Sequence, residues 1–219
     1  MTTSKFDRFL PISGIIAGLL FAAANIMTDS PSLTASGAKH IQWFEDHRVV
    51  NIISGVASGY FMVAMVLFAA GLRAALRARE GDRSTYSTVA FAGGLLVAIF
   101  VLSNGMLNLL SVEAADNKAG DVLITLGYYM DLGWLPWAAA SAVLFLGAGI
   151  GGLATKALPK WLSIVTIVLG VLSMTGPTGI AVFFATPLWL ITAGIVLARR
   201  QRSEAAVPSG ARSAAYVTA

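Results

Sequence analysis

The chain has 219 residues, of which 57% are apolar and only 12% charged, with a formal net charge of +4 and no cysteine. So little charge excludes a soluble domain with an ordinary polar surface. The missing cysteines exclude disulfides, thiolate metal sites and cysteine nucleophiles. The basic residues stand in short sets beside apolar runs, which excludes a nucleic-acid surface and fits membrane orientation instead.

A spanning helix needs about 20 mostly apolar residues, because the hydrocarbon core is about 30 Å thick and each residue rises about 1.5 Å. In chain order, stretches free of Asp, Glu, Lys and Arg predict helices over residues 9–28, 49–72, 87–111 and 132–153. The last uncharged run, from Trp161 to Ala198, would be roughly 57 Å long as one helix, nearly twice the core. It is expected to fold back at Gly176-Pro177-Thr178-Gly179, since proline removes a donor and glycine tolerates turn dihedrals. This gives helices over 161–175 and 180–198, the second carrying Pro187.

The expected fold class is therefore all-α: one integral membrane bundle of six transmembrane helices over residues 1–200, followed by a disordered cytoplasmic tail over 201–219. The charges agree with six crossings. With the N-terminus inside, Lys5, Arg8, Arg73, Arg77, Arg79, Arg83, Lys156, Lys160, Arg199, Arg200, Arg202 and Arg212 all fall on the inner side. Only Lys39, Arg48 and Lys118 fall outside. Both ends then lie in the cytoplasm. Lys5 and Arg8, the apolar run and Ala22-Ala23-Ala24 also resemble a signal peptide, but the run continues through Ile26 and Met27 and the charge pattern needs that helix.

Lipid gives helices no hydrophobic reason to associate, so small residues that let backbones approach carry weight. Gly14, Gly18 and Ala22 lie four apart, as do Gly55 with Gly59 and Gly147 with Gly151. These grooves are expected to pack inside the monomer; a homo-oligomer or docking to a transporter module is the alternative use. Membrane lipids are the other expected partners.

Polar residues inside a membrane are costly and raise a functional question. Here they gather at one level. Asn25, Asn51, Asn104, Asn108, Tyr128, Tyr129 and Asp131, with Ser173 and Thr175, all fall near the outer end of their helices. They form a candidate polar pocket opening outward. The plainer reading makes the amides interhelical glue, each worth about 1 kcal/mol or less. Asp131 has two readings. If helix four starts near Trp134, with Pro136 in its first turn, Asp131 is a solvated cap. If it starts near Val122, Asp131 lies roughly 13 Å deep, where it could relay a proton or bind a cation.

His40 and His47 are the two histidines. Seven apart, they are weak metal candidates beside Glu45 and Asp46; an amphipathic interfacial helix with Trp43 and Phe44 dipping into lipid is the expected arrangement. No haem ligand lies within the helices, and no cofactor is expected. Phosphate-loop, Gly-x-Ser-x-Gly and His-Glu-x-x-His signatures are missing, so an enzyme is not the first expectation. The leading functional reading is binding of a small amphiphile or lipid in the outer pocket. A small transporter, or the substrate-binding subunit of one, is the alternative, and a membrane-embedded lipid or isoprenoid enzyme using Asp131 as an acid is a third.

Leu158-Pro159-Lys160-Trp161-Leu162-Ser163, followed by an apolar hairpin ending in Leu188-Trp189-Leu190 and Ala198-Arg199-Arg200, resembles the DUF4386-like family of small actinobacterial membrane proteins. Asp131-Leu132-Gly133-Trp134 is similar to an Asp-Trp-like step that family places before helix four. The resemblance spans most of residues 9–200. It implies a six-helix fold in a bacterial plasma membrane and carries no activity.

Overall fold

The structure, a computed structural model, describes residues 9–25, 31–82 and 84–206. Among these the chain is helical, with no strand. The elements in order are α1 (Ser13–Ala24), α2 (Gly37–Asp46), α3 (Arg48–Arg77), α4 (Thr85–Asp116), α5 (Gly120–Asp131), α6 (Trp134–Thr155), α7 (Lys160–Ser173), a 3-10 turn (Gly176–Thr178) and α8 (Gly179–Ala206). By length and composition, Arg48–Arg77, Thr85–Asp116, Gly120–Thr155 and Gly179–Ser203 are long and apolar enough to cross a membrane. Two shorter apolar helices, Ser13–Ala24 and Lys160–Ser173, pack beside them.

Local chemistry sets the boundaries. Lys156 adopts a left-handed conformation with φ 55° and ends α6. Pro159, extended at ψ 145°, directly precedes α7; a proline is well tolerated at a helix start, where its missing N–H costs nothing. Gly176 takes a positive φ of 65° at the expected fold-back. The Glu80 carboxylate reaches forward to the first turn of α4, accepting from the N–H of Tyr86 at 2.6 Å and of Ser87 at 3.2 Å.

The helices close into a ring in the order α1, α3, α4, α6, α7, α8, with α8 returning to α1. Glycines permit the closest seams. A side chain on Gly93 would meet the Leu144 backbone at 2.2 Å, and one on Gly18 would meet the Pro187 carbonyl at 2.7 Å. Gly14, Gly18, Gly55, Gly147 and Gly151 all press against other helices of the same chain, whereas Gly59 faces open space. Inside the ring lie Phe21, Phe61, Met65, Phe68, Leu144, Phe145 and Leu190, each 1% exposed or less. Outside it stand Leu19, Val56, Val63, Ile99, Val168 and Leu188, exposed. Such an apolar outer face is unfavourable in water and ordinary in lipid.

The two ends of the bundle differ. At one end, Arg79 and Arg200 both donate to the Lys156 carbonyl, at 2.8 and 2.6 Å, and Arg200 also donates to Ala157 O at 2.7 Å. At the other end, α2 and α5 form a small cap. Their first residues, Gly37 and Gly120, touch backbone to backbone. Phe44, Val112, Ala115 and Leu123 make a second apolar core there. Ion pairs Arg48–Asp116 and Lys118–Glu45 fasten its rim.

This cap corrects one expectation. Phe44 does not dip into lipid; it is buried against α4 and α5, because α5 supplies an apolar protein surface for the amphipathic face of α2. Nor does the stretch before the fourth long helix stay irregular. Residues 120–131 are helical, so both proposed starts, near Val122 and near Trp134, lie at or close to helix beginnings. Pro136 explains the break between them. It has no N–H for the Leu132 carbonyl, which instead accepts from Leu135 at 3.2 Å, while Gly133 donates to Met130 O at 2.9 Å. At the C-terminus, residues 201–206, expected as tail, continue α8. The rest of the expected tail, the Ile26–Thr28 end of helix one, and Lys5, Arg8, Arg83 and Arg212 lie outside the described residues.

Candidate functional site

Helical spacing assembles the site. Asn51, Ser54 and Ser58 follow one another at three and four residues, as Asn104 and Asn108 do at four, so each set shares a helix face. The α3 and α4 faces meet where Gly55 and Gly105 let the helices close up. The two sets then line a single cavity of about 470 Å³ near the capped end. Asn25 at the end of α1 joins them. Phe100, Trp134, Trp137, Phe183 and Phe184 form much of the remaining wall. Its volume lies in the range of small-molecule sites, about 300–1,000 Å³.

The amides are held in a regular way. Asn25 donates to Phe21 O at 2.8 Å, Asn51 to His47 O at 3.0 Å and Asn104 to Phe100 O at 3.1 Å, each one turn back. Asn108 instead crosses to the Ser54 hydroxyl at 3.0 Å, and Ser54 donates to the Ala24 carbonyl. These bonds use the amide N–H groups. The side-chain oxygens of the four asparagines accept no hydrogen bond among the described residues. Deeper in the wall, Trp137 is 4% exposed, and its indole N–H has no partner among the described residues. The rings of Phe21, Phe100 and Phe183 surround it at 5.6, 5.6 and 5.1 Å. A buried donor without a partner is unfavourable by roughly 1–3 kcal/mol, so its presence in a cavity wall is a feature to explain.

A second cavity of about 430 Å³ lies beneath the cap. Trp43, Asn51, Asn108 and Met130 line both. The second also takes in His40, Ser111 and Asp131. His40 Nε2 and Ser111 Oγ are buried without partners among the described residues.

The expected pocket residues therefore separate. Asn25, Asn51, Asn104 and Asn108 come together in the first cavity, and Asp131, exposed, lines the second. Tyr128 and Tyr129 point away, 52% and 66% exposed, and border neither cavity. Ser173 and Thr175 turn their hydroxyls to carbonyls of α7, Leu169 O and Leu172 O. His47 stacks on Trp43 at 4.6 Å and has its Nδ1 2.9 Å from Trp43 O. It does not face His40's cavity. No three His, Asp or Glu side chains gather as a metal site among the described residues.

No family model matches the chain, and no curated protein or solved structure is similar to it. The chemistry of the cavities is the guide to function. The sequence reading missed Ser54, Ser58 and Ser111, and it missed Trp137 as a wall residue. The serines were legible: the spacing of 51, 54 and 58 is that of one helix face. Trp137 carries no such signal, since it sits in the first turn of α6 beside apolar residues.

Proposed function

We propose that this chain is a six-span protein of a bacterial plasma membrane, with both ends in the cytoplasm, that binds a small amphiphile or lipid in the first cavity. The observation that carries the binding reading is the composition of that cavity: four amide oxygens without partners among the described residues, beside a wall of aromatic rings. A ligand with a polar head and an apolar body answers both. Trp134, Ile180 and Phe184, all more than half exposed, border the cavity, so its rim is itself apolar and suits entry from a lipid environment.

Three features support the six crossings. The short apolar helices α1 and α7 pack side by side with the long ones rather than across their ends. The ring alternates in direction, so Arg77, Arg79, Lys156, Lys160, Arg199 and Arg200 collect at one end. Helix α4, at about 1.5 Å per residue, exceeds the hydrocarbon thickness by roughly 18 Å, which is the layer that α2 and α5 occupy. The wild-type chain lacks cysteine, so single-cysteine reporters are clean. Cysteine at Asp82 should label only from the cytoplasmic side and cysteine at Asn117 only from the opposite side. Labelling of both from one side would reject the topology.

The binding reading is tested by tryptophan quenching. A dodecyl maltoside brominated in its tail, titrated onto the protein in phospholipid nanodiscs, should quench saturably. Asn104→Ala with Asn108→Ala should weaken the saturation midpoint several-fold. Quenching that stays linear in probe, and equal in the variant, would overturn the reading.

A further inference from the structure

We infer that the second cavity is the head-group subsite of the same ligand and that it selects a protonated amine over an anionic head. This rests on the amphiphile reading above and specifies its ligand class.

Charge comes first. Among the described residues lining either cavity, Asp131 is the only carboxylate, and there is no lysine or arginine. A phosphate or sulfate head would find no counter-charge there. Asp131, by contrast, places a carboxylate, a group that attracts a cation, at the exposed edge of the second cavity.

Hydrogen-bonding capacity points the same way. Among the described residues, three unpartnered groups near the shared wall and beneath the cap can accept: the Asn51 and Asn108 side-chain oxygens and, in the tautomer that carries its proton on Nδ1, His40 Nε2. Ser111 Oγ can also accept. His40 and Ser111 are 4% and 1% exposed, so water does not freely satisfy them. Buried polar atoms of this kind are normally paired. An ammonium has N–H donors and no acceptor, which complements such a set.

The geometry of the pair of cavities supplies the rest. Trp43, Asn51, Asn108 and Met130 belong to both walls. A ligand whose ammonium sits below the cap, near His40, Ser111 and Asp131, would pass its chain between Asn51 and Asn108 into the aromatic cavity.

The test uses three probes sharing one ten-carbon chain: decylammonium, decyl sulfate and decyl glucoside. Each is titrated at pH 7 onto the full chain in nanodiscs of zwitterionic phospholipid, and the unfolding temperature is read. Decylammonium should raise it saturably and decyl sulfate should not. Asp131→Asn, an exposed position, should weaken the apparent affinity for decylammonium roughly ten-fold or more and leave decyl glucoside unchanged. Ser111→Ala is the second variant. It removes an unpartnered buried hydroxyl, so the unliganded protein should be as stable as wild type or more so, while decylammonium binds more weakly. Equal stabilisation by decylammonium and decyl sulfate, or no effect of either variant, would overturn the subsite while leaving the amphiphile reading intact. If none of the three probes shifts the wild type, both readings fail.

Discussion

Asn108 on α4 donates its amide N–H to the Ser54 hydroxyl on α3 at 3.0 Å, and Ser54 donates its O–H to the Ala24 carbonyl at the end of α1. One chain of two bonds thus joins three helices at the edge of the first cavity. Interhelical hydrogen bonds in membranes are worth about 0.6 kcal/mol on average and up to about 1.7. Ser54→Ala should therefore destabilise the bundle by about 1 kcal/mol, because it strands both Asn108 and the Ala24 carbonyl. Asn108→Ala should cost less. A double-mutant cycle, read by reversible unfolding in mixed micelles, should return a coupling of roughly 0.5–1 kcal/mol. Additive effects would show that the chain does not act as a unit.

Two glycines that look alike in sequence should respond oppositely to alanine. A methyl on Gly93 would meet the Leu144 backbone nitrogen at 2.2 Å, and backbone cannot rotate away. Gly93→Ala should force α4 and α6 apart and destabilise by roughly 1–3 kcal/mol. A methyl on Gly59 meets nothing within 4 Å, and alanine is the better helix former. Gly59→Ala should be neutral or stabilising by up to about 1 kcal/mol in the monomer. If it instead lowers dimer affinity in cross-linking or sedimentation, that open face is an interface between copies.

The contrast also shows what the sequence made legible. The run lengths and the fold-back at Gly176 followed from hydrophobicity and bilayer thickness alone, and the asparagine cluster followed from helical spacing. The cap did not. α5 begins with Gly120-Asp121 and ends in Tyr128-Tyr129-Met130-Asp131, outside every helix predicted over residues 9–198. Its helicity is tied to a tertiary event, the burial of Leu123 against Phe44 and Val112. The same event took Phe44 away from lipid. The second cavity was likewise invisible, since it exists only because α2 and α5 close over Ser111 and Asn108.

Glu80 gives a pH dependence. Burial acts to raise its acidity constant's pH, but hydrogen bonds from the Ser87 side chain and from the Tyr86 and Ser87 N–H groups, together with Arg77, outweigh it and hold the carboxyl below the usual range. A group whose value is depressed on folding stabilises the folded state above its unfolded value. That contribution is lost as pH falls through the depressed value. Stability should thus decline over the acidic range, below the ordinary glutamate region, through fraying of the first turn of α4. Glu80→Gln should remove this slope and cost about 0.5–1 kcal/mol at neutral pH, the usual range for a lost helix cap. Urea unfolding of the two proteins across about pH 3–7, which brackets that region, would show it. Parallel curves would refute the assignment.

The two buried tryptophans that face the ring interior should lose different amounts of stability when cut back to phenylalanine. Trp189 donates its indole N–H to Thr166 Oγ1 at 2.7 Å, and this bond links α7 to α8, a seam with little other contact. Trp189→Phe removes the donor and leaves a cavity beside Phe68 and Phe145; a loss of about 2–3 kcal/mol is expected. Trp137 fills a similar volume among Phe21, Phe100 and Phe183, but its N–H has no partner. Removing an unsatisfied donor recovers desolvation free energy, so Trp137→Phe should cost less than Trp189→Phe by at least about 1 kcal/mol despite equal lost area. Its effect should surface in binding: brominated dodecyl maltoside, read by its effect on unfolding temperature, should bind more weakly if the indole is held in reserve for a ligand acceptor. If the two variants are equally destabilised and Trp137→Phe binds the maltoside as wild type does, the unpartnered indole has no role in the cavity.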